Sequence, residues 1–339
     1  TVIRLALDAM GGDFGPDVTV AAASAALSRH PDLHLTLVGD RDTILRVQEK
    51  TGGDASRLTV QHAPQKVDMD ERPSSALRNK RESSMRLALD LVRERAADAC
   101  VSAGNTGALM AMARFVLKTL PGIDRPAICA TMPGIKGTTH MLDLGANVDS
   151  SSEELFRFAV MGSVLCSAVD NRPNPRVALL NIGEEEIKGN DRVKQTALLL
   201  EQSSLNYQGF VEGNDIFAGT VDVIVCDGFV GNVALKSSEG VAGMLMHMAR
   251  EEFTRNLSSK LAALFARPAL RRLRERADPR RYNGASLLGL RGICVKSHGG
   301  ADALSFGRAI DEAVLEVQKA VPDRISSMLE QLLVNPTDI

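Results

Sequence analysis

The stretch LALDAMGGDFGP, residues 5–16, decides how this chain is read. An apolar run stops at Asp8. Two glycines, a second aspartate and a proline follow, and then an alanine-rich segment opens. A bare, bent backbone after a strand and before a helix lets a ligand come close to main-chain N–H groups. A helix N-terminus aims partial positive charge at the same place. The stretch therefore reads as strand, anion-friendly loop, helix.

The same unit recurs along the chain. ADACVS (97–102) leads to AGNTG and then ALMAMARFVLK; THMLDL (139–144) leads to GANVDSS; RVALLN (176–181) leads to IGEEEIKGN; VDVIVCD (221–227) leads to GFVGN. Strands alternating with helices predict parallel βαβ units, and near-continuous apolar strands predict a sheet covered on both faces. Leu109, Met112, Val116 and Leu117 sit at helical spacing, and Ser151 with Glu154 reads as a capping box. In an open parallel sheet the loops at the strands' carboxyl ends line the ligand crevice, so the Gly/Asn loops are expected to converge on one edge.

Composition sets the class. The chain has 339 residues, 44% hydrophobic and 24% charged, with a net charge of −2. These are values of a globular protein with a substantial core and no basic excess for nucleic acid. No apolar run approaches the ~18 residues of a membrane span, and the first residues already read as a strand, with no sign of a signal peptide. Cys100, Cys129, Cys166, Cys226 and Cys294 lie in or beside apolar runs without metal-ligand spacing, which predicts reduced, buried thiols in the cytosol. No dinucleotide fingerprint, P-loop, nucleophile elbow or histidine metal motif is present. His140 reads as structural, whereas His298, in VKSHGG after an apolar run, is a site candidate.

Six motifs in order, DAMGGDFGP, SAGNTGALMA, LDLGANVD, NIGEEEIKG, CDGFVGNVALK and GLRGICVKSHGGAD, span about residues 5–303. Together they closely resemble the bacterial phosphate acyltransferases of phospholipid synthesis. The resemblance implies one unit over residues 1–339 with a three-layer αβα fold and a mostly parallel sheet, related to phosphotransacetylases and isocitrate/isopropylmalate dehydrogenases. It implies a homodimer in the cytoplasm, peripherally associated with the inner face of the membrane. The implied reaction moves a long acyl chain from acyl carrier protein to inorganic phosphate, and a downstream membrane acyltransferase then uses the acyl phosphate on glycerol 3-phosphate.

That chemistry asks for positioning and oxyanion stabilisation and for no cofactor or metal. On this reading Gly11 and Gly12, with Gly104, Asn105, Thr106 and Gly107, present N–H groups to phosphate. Lys188 balances its charge, and Asn232 donates to the thioester carbonyl or to phosphate. Asp8, Asp143 and Asp227 each end a strand and orient donors, accept a proton or serve structure. Asn147 and His298 complete the binding set, and Glu184–Glu186 read as a solvated acidic turn. Two alternatives stay open: a metal- and NAD-dependent decarboxylating dehydrogenase on the related fold, and a non-catalytic adaptor.

Residues 255–281 break the rhythm, with nine Lys/Arg against Glu275 and Asp278. Leu257, Leu261, Leu264 and Phe265 share a helical face. Leu270 and Leu273 continue it beyond Pro268, with Arg271 and Arg272 among the cations. A projecting pair of helices over 255–285 is expected to touch an anionic membrane or the acidic carrier protein.

Overall fold

The computed structural model describes residues 2–52 and 56–334, without the side chains of 274–277, 279, 333 and 334. The apolar runs become strands and the segments between them helices. The first half holds β1 (Ile3–Asp8), α1 (Pro16–Arg29), β2 (Leu33–Gly39), α2 (Arg41–Thr51), β3 (Leu58–His62), α3 (Pro73–Asn79), α4 (Ser84–Arg93), β4 (Ala99–Ser102) and α5 (Thr106–Leu117). The middle holds β5 (Ala127–Pro133), β6 (Thr138–Leu142), α6 (Ser152–Val169), β7 (Val177–Leu180), α7 (Asp191–Glu201), β8 (Tyr207–Val211) and β9 (Val223–Val225). Then come α8 (Gly228–Thr254), α9 (Leu257–Ala277), β10 (Ala285–Leu288), β11 (Ile293–Lys296), α10 (Ala303–Lys319) and α11 (Val321–Val334).

The described strands form one sheet in the order β3-β2-β1-β4-β11-β10-β5-β6-β9-β7-β8. Side chains alternate between its faces. Ala6 and Cys100 on one face share a core with residues of α4 and α5, and Met141 and Ile224 continue the same core toward α8. On the other, Leu5, Leu7 and Val101 meet α1 and α10, and Leu142 and Val223 meet α6. This is the expected three-layer αβα sandwich. The expected capping box closes α6: Ser151 accepts from the Glu154 amide at 3.2 Å, and the Glu154 carboxylate accepts from the Ser151 amide at 2.9 Å.

The loops do not converge on one edge. Pairing is antiparallel at β11–β10, β10–β5 and β5–β6 and parallel elsewhere. Three reversals turn β6, β9, β7 and β8 against β1, β4 and β11. The loops after β1, β4 and β11 therefore leave one edge, and those after β6, β7 and β9 leave the other. Twist reduces the separation. β4 and β9 are five strand steps apart, and at ~20–25° per step the accumulated rotation is roughly 100–125°. The strand directions of the two halves are then oblique, roughly 55–80° apart rather than opposed.

The helical projection also differs from expectation. Residues 257–277 form one helix that continues through Pro268, and its partner is the outer part of α8. Every residue from 239 to 252 is exposed, so the hairpin stands clear of the sandwich.

Candidate active site

The first half-site is built on Asp8. Its carboxylate, buried at the end of β1, accepts from Ser84 and Ser102 hydroxyls at 2.6 Å each. Burial holds its pKa above the usual carboxylate range, with the serine hydrogen bonds opposing only in part. These bonds fasten the N-terminus of α4 and the end of β4 to β1. The two glycine loops then touch: a Cβ on Gly11 would lie 2.8 Å from the Gly104 nitrogen and 2.6 Å from an Asp8 oxygen. Only glycine permits that approach. Asn105 caps α5 by accepting from Ala108 at 3.0 Å, while its amide donates to the carbonyls of Met69 and Glu71 at 2.9 Å. Thr106 and Gly107 follow, exposed, in the first turn of α5. Gly12 and His298 meet on the same rim, where the Asp13 amide donates to the Gly299 carbonyl at 2.9 Å. The His298 ring is exposed and accepts from the Gly300 amide at 3.1 Å.

The second half-site is built on Asp143. This buried carboxylate gathers the loop after β6 around itself, accepting from the amides of Gly145, Ala146 and Asn147 and from Ile128. The Asn147 side chain is spent inside, donating to Asp143 at 3.0 Å and to the Pro126 carbonyl at 2.9 Å. Asp227 caps α8, accepting from the Val230 amide at 2.9 Å. The first turn of α8 lies on the loop so closely that a Cβ on Gly231 would fall 1.8 Å from the Asp143 carbonyl oxygen. That contact sets Asn232 beside Gly145, exposed to solvent. Among the described residues no hydrogen bond engages its side chain. Lys188 leaves the neighbouring loop after β7 and pairs with Glu185 at 2.9 Å; that bond holds its pKa above the usual lysine range. Glu184, Glu185 and Glu186 are exposed, as expected of a solvated turn.

The inner part of α8 joins the two half-sites. Nine residues separate Asp227 from Lys236, roughly 13 Å of helix. At that point the Lys236 charge reaches Lys296 at the end of β11. Lys296 is buried, its ammonium donating to the carbonyls of Ala103 and Ser297. Burial lowers its pKa to about 8, with Lys236 pushing the same way and Asp8 opposing. One half-site thus brings glycine loops and a buried cation, the other a free amide, and Lys236, one helical turn after Asn232 on α8, is the charge that links them.

Sequence reasoning grouped Asp8, Asn105, Asn147 and Asp227 with the ligand contacts, but each spends its side chain on internal bonds. Gly11, Gly12, Gly104, Thr106, Gly107, His298, Lys188 and Asn232 lie on the loops and first helical turns of the two half-sites. Ser84, Ser102, Lys236 and Lys296 were missed. Only Lys296 had a signal, a lysine ending an otherwise apolar strand. All five cysteines are buried and unpaired. His140, Cys166 and Asp170 come within 4.8 Å of one another despite their sequence separation. His140 is bonded to Asp170 at 2.8 Å, and burial pushes the Cys166 thiol up to about 12.

Comparison with known proteins agrees with the fold. Residues 3–324 match the family described as "Fatty acid synthesis protein". The chain is 63% identical over 332 residues to the phosphate acyltransferase of Alkalilimnicola ehrlichii, covering 98% of this chain and 97% of that one. It is 60% identical to that of Nitrosococcus oceani, covering 98% of each. A phosphotransacetylase from Streptococcus pyogenes shares the fold over 94% of both chains, with a TM-score of 0.63 at 17% identity. By sequence over nearly its full length, the chain belongs to the phosphate acyltransferase family.

Proposed function

We propose that the protein reversibly transfers a long-chain fatty acyl group from acyl carrier protein to inorganic phosphate. The acyl phosphate supplies the acylation of glycerol 3-phosphate in phospholipid synthesis. The observation that carries the reading is the unengaged amide of Asn232, held beside Gly145 at the start of α8, one turn before the Lys236 whose charge reaches Lys296. A thioester is already activated and phosphate is already a nucleophile, so the protein must align them and stabilise the oxyanion. A phosphate oxygen bonds to the carbonyl carbon while Asn232 donates to the developing oxyanion. The C–S bond then breaks, and the proton of hydrogen phosphate passes to the departing thiolate. Lys188 from one wall and Lys296 from the other offset the phosphate charge, and Lys188 is released for this when it leaves Glu185.

The acyl chain asks for an apolar destination. The α8–α9 hairpin exposes Leu261, Leu264 and Phe265 together with Arg271 and Arg272. This favours peripheral contact with an anionic membrane, close to a downstream acyltransferase, by a homodimer. Among the described residues no helix is long and apolar enough to cross a membrane.

Purified Asn232→Ala and Lys188→Ala should each keep the wild-type melting temperature and lose roughly 10²-fold in kcat, the scale of one transition-state contact. Near-normal turnover in either variant rules out that residue's role. For Asn232→Ala, a rise only in KM for phosphate would place the amide on the ground state.

A further inference from the structure

At the amino-terminal ends of β1, β4 and β11 lies an open pocket of about 620 Å³ that the reaction does not use. Five cations line it: Arg4, Arg93, Arg95, Lys118 and Arg291, against the single acid Asp98. Arg4 is paired with Asp98 at 2.7 Å, and Arg93 is shared by Asp90 and Glu94 at 2.8 Å each. Among the described residues Arg95, Lys118 and Arg291 have no ion-pair partner. Arg291 donates to the Thr119 carbonyl at 3.0 Å, and the Lys118 ammonium lies 4.8 Å from the centre of the exposed Phe115 ring. Val92, Val116 and Leu117 supply apolar wall.

Two of these cations occupy backbone that does not suit them. Arg95 has φ +59° and Lys118 has φ +63°, both just past helix ends. Glycine or asparagine is the low-cost residue there, and a longer side chain adds steric strain. The carboxyl ends of α4 and α5 also bring partial negative charge, which these cations outweigh in part.

By strand direction alone, the amino-terminal ends of β1, β4 and β11 lie on the same sheet edge as the carboxyl end of β6, whose loop carries Gly145 against Asn232. From β11 the path crosses β10 and β5 to the carboxyl end of β6, three strand spacings or ~15 Å. The chain from Lys118 runs along that path to Pro126, whose carbonyl accepts from Asn147. On the reading given under Proposed function, the acyl group arrives on a flexible thiol arm, so the body bearing the arm must rest some distance from the carbonyl. A patch at this range, positive at the rim and apolar inside, fits an acidic protein surface with an apolar anchor.

We propose that this basic pocket is the seat of the acidic carrier protein that delivers the acyl group to Asn232. Arg95→Gly/Lys118→Gly removes both charges and relieves the left-handed strain together. Binding of acylated acyl carrier protein is measured by titration at low and moderate salt. Transfer to phosphate from a small acyl-pantetheine thioester is measured alongside. The variant should melt no lower than wild type, bind the carrier at least 10-fold more weakly with a shallower salt dependence, and use the small thioester within twofold of wild type. Arg291→Glu should weaken carrier binding in the same way. Unchanged carrier binding in both variants overturns the proposal, and so does an equal loss on both donors. Failure of the wild type to acylate phosphate from either donor would instead overturn the reading of the reaction, while carrier binding still decides the seat.

Discussion

Lys296 carries an uncommon combination for a lysine: it is buried, it ends a core strand, and burial holds its pKa near 8. The groups acting on it are Asp8, Asp13 and Cys294, which favour its charge, and Lys236, which opposes it. If its ammonium meets phosphate, the sign of the pH dependence follows. Below about 8 the charge is present, and above it the charge is lost. We therefore expect kcat/KM for phosphate to fall as pH rises through about 8. Lys296→Arg should flatten that fall, because guanidinium stays charged, and Lys296→Gln should be poor at every pH. A wild-type profile flat from pH 7 to about 9.5 contradicts the role. The residue was barely legible in sequence. GICVKSHGG draws attention to His298, and nothing in the string says that the lysine side chain, rather than the histidine, is the one enclosed. The role of Asp8 stays open in the sequence for the same reason. Its partners Ser84 and Ser102 lie 76 and 94 residues away, and only the fold shows that they saturate it.

At the scale of elements, local signals carried well and long-range ones did not. The capping box at Ser151 and Glu154, the apolar stripe of α5 and the strand–loop–helix rhythm all depend on residues a few positions apart, and all are present. The reversal of the second half depends on β10 returning from residue 285 to pair with β11 and β5, and no local pattern encodes that pairing. Pro268 is a case where a local signal is overridden. It lacks an N–H and crowds the preceding turn, which predicts a break, yet α9 continues through it. The hairpin itself makes a prediction. Leu261 is 55% exposed and Phe265 78% exposed, so replacing both with glutamate removes no core contact. Leu261→Glu/Phe265→Glu should fold normally and fail to float with anionic liposomes that carry the wild type. Equal flotation of the two proteins, or none by either, contradicts membrane contact by this hairpin.

At the scale of the molecule, one twisted sheet with opposed halves divides the candidate site between two groups of loops. The half around Asp8 supplies glycine loops and Lys296; the half around Asp143 supplies Asn232 and Lys188. The inner turns of α8 connect the two, and its outer turns form the hairpin. The most direct measurement is the release of free carrier thiol when the purified protein is mixed with acylated acyl carrier protein, with and without inorganic phosphate. The account predicts thiol release that depends on phosphate, with acyl phosphate formed in equal amount. Thiol release at the same rate without phosphate, or phosphate-dependent release with no acyl phosphate, contradicts it.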